Sequence, residues 1–208
     1  MLNNRKEFIS NYWKYYCILE DDFSELIKYI DLRESNYNTT SNEIIKQLQS
    51  ICSEFEIVCK EFCDIEMDDK HVNIKAYYNG IVDHTKEIIK DLKIDRIQDL
   101  HINIRQTRNI VIYPFKDWDE ECPWNLSWWK NYNAIKHSRT EHYEAGNFES
   151  VLNALGALYF LERLLVRKVY YKTKEMDIPD RQSSIFYIEN FLPKWSLDDE
   201  VWNKKEGE

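Results

Sequence analysis

Apolar positions return at intervals of three and four over most of the chain, and that spacing predicts helices. Over residues 6–32 the repeat is carried by Tyr12, Tyr15 or Tyr16, Leu19, Phe23, Leu26 or Ile27, and Ile30. The polar stretch ESNYNTTS interrupts it. Thr40 and Glu43 then stand at capping-box spacing. A second helix is expected from there to about Ile65, with Ile44, Leu48, Ile51, Cys52, Phe55, Val58, Cys59 and Phe62 as its buried stripe. Residues 73–92 predict a third helix with a weak point at Asn79-Gly80.

The period changes to two in HINIRQTRNIVIYPF, which predicts a β-hairpin with strands near 100–105 and 109–113. Pro114 and Pro123 bracket the loop FKDWDEEC, and Pro123 suits the entry of a helix over about 124–138. EAGN ends that helix, and Asn147 can cap a last one over about 148–173. The last helix is apolar nearly all round from Val151 to Leu165, the pattern of a central helix. Beyond Pro179, SSIFYIENF reads as a late strand or a surface-wrapping segment, and SLDDEVWNKKEGE as a fraying acidic tail. The expected fold class is mainly α. A helical bundle of four or five helices spans 1–178, a β-hairpin is inserted near 99–114, and 179–208 form a C-terminal extension.

Composition narrows this little. Four glycines and four prolines suit long helices rather than a many-turned β sandwich. The scarcity of glycine also counts against a phosphate-cradling loop, and no G-x-S-x-G or H-E-x-x-H motif occurs. The opening MLNNRKEFISNYW has no apolar core, so no signal peptide is expected. The longest apolar run, VLNALGALYFLERLLV, is too short and too charged to cross a bilayer. A cytoplasmic chain without membrane contact follows, and its five cysteines are then expected to be free.

Net charge is −9, which counts against a bulk nucleic-acid binder. Its distribution changes that picture. Residues 124–174 carry eight cations and four acids, so this segment is locally basic at +4 while the remainder carries −13.

Within that segment lies PWNLSWWKNYNAIKHSR. On a helix, Trp124, Trp128, Tyr132 (or Asn131) and Ile135 share one face, which predicts an anchored core side. Lys130, Asn133 and His137 share a second stripe, and Tyr132, Lys136 and Arg139 a third. Histidine changes charge near neutral pH and suits proton transfer. A cation a turn away suits a phosphate or a developing negative charge. Spacing alone, with no strict motif met, favours a structural hydrogen bond on a solvated helix face over a catalytic site.

YNAIKH resembles the signature helix of the HEPN superfamily (higher eukaryotes and prokaryotes nucleotide-binding domains), whose motif is Arg, a polar residue, three variable positions and His. Asn133 and His137 match the polar residue and the histidine. Tyr132 stands at the Arg position; with the family's looser spacing, Lys130 stands there instead. WWKNYNAIKHSR followed by SVLNALGALYFLERLL, and SEFEIVCKEFC upstream, extend the similarity over roughly residues 8–170. The resemblance implies a dimeric helical bundle and a metal-independent ribonuclease of bacterial defence or toxin–antitoxin systems. His137 would then be the general acid or base, Asn133 its positioning partner, and Lys130, Lys136 or Arg139 the phosphate cation. No cofactor or metal is implied. The alternative is a non-catalytic module of the same fold that binds a protein or a nucleotide through this helix.

Two further features belong to the second helix. Glu56 can orient His137 or pair with Lys136 across the bundle; equally, Glu56 and Lys60 can form a simple i, i+4 surface pair. Cys52, Cys59 and Cys63 share a face, but their spacing fits no common zinc site, so core packing is the expected role. His71, His84 and His101 stand isolated in sequence and receive no role.

Overall fold

The computed structural model describes residues 2–69, 72–107 and 110–194. Its chain is mainly helical with a small antiparallel sheet. Helix α1 (Arg5–Phe8) runs through a π turn (Ile9–Trp13) into α2 (Lys14–Leu26). Helices α3 (Asn42–Phe62), α4 (Ile74–Asp91), α5 (Ser127–Ser138) and α6 (Phe148–Thr173) follow. Strands β1 (Ile102–Ile104), β2 (Val111–Ile112) and β3 (Phe186–Tyr187) form one sheet in the order β2-β1-β3, with Ile102 opposite Ile112 and Ile104 opposite Phe186. The predicted strand start at Asn109 and the acidic tail lie outside the described residues.

Helix α6 is the axis of the bundle. Its stretch from Val151 to Val166 is buried except at Asn153, which explains the all-round apolar pattern, and it packs most extensively on α3. The Asn147 side chain caps it by accepting from the Ser150 amide at 2.9 Å. Gly156 is where the hairpin meets α6: a Cβ there would lie 2.4 Å from Ile112 Cδ1.

Several boundaries differ from the sequence expectation. The first helix ends at Leu26, and Ile27 and Ile30 reach the core from turns instead. The π turn shifts the inward face so that Tyr12, Trp13 and Tyr16 are all buried while Tyr15 is exposed. Ser41, not Thr40, caps α3, accepting from the Ile44 amide at 3.1 Å, because Thr40 is held in a β-bridge to Asn147. Helix α4 runs through Asn79-Gly80 without a break. Gly80 is a close-approach residue: a Cβ there would lie 2.5 Å from Cys63 Sγ, so the end of α3 sits directly on α4.

The described part of the C-terminal segment is woven into the bundle. Beyond the β3 pairing, buried Glu20 accepts from the Tyr16 hydroxyl (2.7 Å), the Ser183 hydroxyl and the Ser184 amide (2.9 Å). Buried Arg167 pairs with buried Asp177 and donates to the Leu192 carbonyl at 2.6 Å. No helix among the described residues is long and apolar enough to cross a membrane.

Candidate functional site

Helix α5 is fixed by its bulk. Trp128, Trp129, Tyr132 and Ile135 are buried. Phe55 of α3 meets the Trp128 ring edge-on at 5.0 Å, and Trp128 Nε1 donates to the Pro114 carbonyl at 2.8 Å, so the indole's polar tip is satisfied. Asn131 donates to the Ser150 hydroxyl at 2.8 Å and ties α5 to the start of α6. Trp124 departs from the predicted core face. It lies in a 3-10 turn (Pro123–Asn125) ahead of α5 and is 57% exposed, because Leu126 breaks the helical path between them.

On the outer side, Lys130, His137 and Arg139 are exposed and Asn133 is half-buried. Helical spacing keeps Lys130, Asn133 and His137 on one stripe. Among the described residues, no hydrogen bond or ion pair reaches the side chain of any of these four. Lys136 and His137 occupy the last turn, where positive charge complements the carbonyl end of the helix dipole.

The structure brings Glu56, Tyr132 and Lys136 together. The Tyr132 hydroxyl donates to Glu56 Oε1 at 3.3 Å, Lys136 Nζ lies 3.7 Å from the same oxygen, and the ammonium stands 5.2 Å over the Tyr132 ring. Burial, then the Glu56 charge, pushes the Tyr132 phenol well above its ordinary range. Burial likewise pushes up the thiol of Cys52, with Glu56 adding to it and Lys136 opposing it. Glu56 therefore holds Lys136 and Tyr132 rather than His137. Lys60 turns away from Glu56 and donates to the carbonyls of Met67 (2.9 Å) and Asp69 (2.8 Å).

The basic segment does not form a basic surface. Arg163 and Arg167 are buried, Lys168 donates to the Phe62 carbonyl (2.9 Å) and Asp64 (2.7 Å), and Lys172 donates to the Leu2 carbonyl (2.9 Å). The cations of this segment left exposed without a hydrogen bond or ion pair are Lys130 and Arg139 at α5 and Lys174 at the end of α6, which stands over the Tyr170 ring. Cys52 and Cys59 are fully buried, and no cluster of His, Cys, Asp and Glu able to hold a metal ion occurs among the described residues.

Sequence reasoning missed a set of buried acids. Glu54 of α3 and Glu162 of α6 lie in the core interface, and Glu61 accepts from the Tyr12 hydroxyl at 3.3 Å nearby. The signal was present: both Glu54 and Glu162 fall within apolar stripes. No protein-family model matches the chain, and comparisons with curated proteins and with solved structures find no match either.

Proposed function

We propose that the protein is a cytoplasmic HEPN-like chain that engages RNA through the outer face of α5 and cleaves it without a metal when two copies meet there. The observation that carries this reading is the contrast between the two sides of α5. One side is locked by Trp128, Trp129, Tyr132 and Ile135; the other holds Lys130, Asn133, His137 and Arg139 exposed or half-buried with their polar groups unspent. A rigid helix presenting unspent cations and an imidazole suits a phosphate backbone. His137 would move the proton at the ribose 2′-hydroxyl, Asn133 would orient the hydroxyl or the ring, and Lys130 or Arg139 would meet the charge on phosphorus. Lys136 is already shared with Glu56 and serves as support. Among the described residues no group orients His137, and on this reading a second copy supplies one. A defence or toxin–antitoxin role in a bacterium accords with this chemistry.

The test is RNA cleavage by purified protein in EDTA, comparing wild type with His137→Ala. Cleavage lost in the variant supports the reading; cleavage retained at full rate sinks it.

A second reading is favoured by Tyr132. At the family's Arg position stands a buried phenol tied to Glu56, not a free cation. On that reading α5 docks a partner protein or nucleotide without catalysis. RNA left intact by a folded, dimeric wild type favours it.

A further inference from the structure

A cleft of about 490 Å³ opens between α4 and α6, away from α5. Both helices pack on or beside α3, and Phe62 from the end of α3 forms the floor with Ile88 and Leu164. Its volume falls in the range of small-molecule sites. From His84 to Asp91 the α4 wall spans eight residues, seven rises or about 10 Å of helix.

The two ends of the cleft offer opposite hydrogen-bonding character. At one end Lys194 Nζ donates to the Tyr171 hydroxyl at 3.2 Å and stands 3.4 Å from Asp91 Oδ2. Because the Tyr171 oxygen accepts there, its own O–H is free to donate. At the other end His84 Nδ1 lies 2.7 Å from the Gly80 carbonyl and must carry the hydrogen, which leaves Nε2 as an acceptor in the neutral ring. Lys168 stands at that end too, but its ammonium is spent on Asp64 and on the carbonyls of Glu61 and Phe62. Asp64 is its counter-charge, with Oδ2 3.9 Å from His84 Nε2.

We propose that this cleft binds a small monocarboxylate with an apolar body. The two carboxylate oxygens take the Lys194 ammonium and the Tyr171 hydroxyl. The body lies on Phe62, Ile88 and Leu164, and a hydroxyl at its far end donates to His84 Nε2. The Lys194 ammonium is shared with Asp91 and the Tyr171 donor is neutral, so the head-group end suits one negative charge better than two, which disfavours a phosphate dianion, and an amine binds there only by displacing Lys194 from Asp91.

Calorimetric titration of the full chain with octanoate, octanol and octylamine tests the charge preference, since only the head group changes. Octanoate is expected to bind at least tenfold more tightly than either, and 8-hydroxyoctanoate a few-fold more tightly still. Lys194→Ala should weaken octanoate about tenfold, and Tyr171→Phe about threefold. Asp91→Asn should tighten it, and His84→Trp should fill the cleft and abolish binding. These four side chains are solvent-accessible, and an unchanged melting temperature confirms that each variant is folded. No octanoate binding at millimolar concentration overturns the proposal. So does equal binding of octanoate and octylamine, or octanoate affinity that ignores Lys194→Ala and His84→Trp.

Discussion

Glu54 on α3 and Glu162 on α6 bury two acids within electrostatic reach of each other across the main helix interface. No hydrogen bond from any described residue reaches either oxygen of Glu162. Burial, reinforced by Glu54, pushes the Glu162 carboxyl well above the usual range, and burial pushes Glu54 up to about 7. A buried acid without a cation resolves its desolvation cost by staying protonated. The fold therefore keeps protons that the unfolded chain, titrating near 4.3, releases. Stability from Glu54 is thus fully present below about pH 4 and is lost as the pH rises to about 7. Its loss is on the order of 3 kcal/mol. Melting temperature should fall by several degrees from pH 5 to pH 7, and the fall should flatten in Glu54→Gln and Glu162→Gln. A wild-type melting temperature that rises over this interval would contradict the assignment.

A different buried acid holds the C-terminal segment. Glu20 accepts from Tyr16, Ser183 and the Ser184 amide, and those bonds position the chain just ahead of β3. Glu20→Ala leaves these donors without their acceptor inside the protein, at a cost of about 3 kcal/mol. The loss should also be local. Hydrogen exchange at Ile185 and Phe186 should accelerate well before exchange along α6 does. Uniform acceleration across the chain would mean that Glu20 supports the whole bundle rather than this segment.

Gly80 tests the contact between α3 and α4. On helix propensity alone, alanine would stabilise α4 by about 1 kcal/mol. The added Cβ would however meet Cys63 Sγ at 2.5 Å and Cβ at 2.8 Å, and Cys63 belongs to the C-terminal turn of α3 rather than to a flexible side-chain end. Gly80→Ala is expected to destabilise by about 1–3 kcal/mol, because overpacking outweighs propensity. Adding Cys63→Ala removes the nearer atom and should restore part of the loss. Additive effects in that double variant would show that the two residues do not press on one another.

The helices were legible because their buried stripes are long. Helix α6 is apolar over most of Val151–Val166, interrupted at Asn153, Glu162 and Arg163, and the structure places it at the centre. The hairpin is legible from its change of period, but SSIFYIENF supports a third strand and a surface-wrapping segment alike, since Phe186-Tyr187 takes its partner from more than eighty residues away. The π turn at Ile9–Trp13 leaves no mark in a three-and-four pattern, and it moves Trp13 into the core while Tyr15 stays out. At the candidate site, the exposure of Lys130 and His137 followed from helical spacing. The fate of the other cations did not. Arg167 finds Asp177, and Lys168 finds Asp64 and the end of α3, through contacts that charge counting along the chain cannot register.

On the proposed RNA-binding reading, with Lys168 and Lys172 of α6 hydrogen-bonded within the chain, affinity would rest chiefly on the exposed cations Lys130 and Arg139. Single-stranded RNA binding should then weaken with salt along a shallow line, and each of Lys130→Ala and Arg139→Ala should reduce the slope by roughly 0.7. Lys168→Ala should leave the slope unchanged while lowering the melting temperature, because its ammonium secures Asp64 and the Phe62 carbonyl rather than a phosphate. Tyr132→Phe should lose its bond to Glu56, at about 1 kcal/mol of stability, and keep the wild-type salt slope. A slope that drops in Lys168→Ala and not in Lys130→Ala would move the RNA surface from α5 to the α4–α6 side of the molecule. A slope near zero in the wild type would remove phosphate recognition altogether and leave α5 as a protein-docking helix.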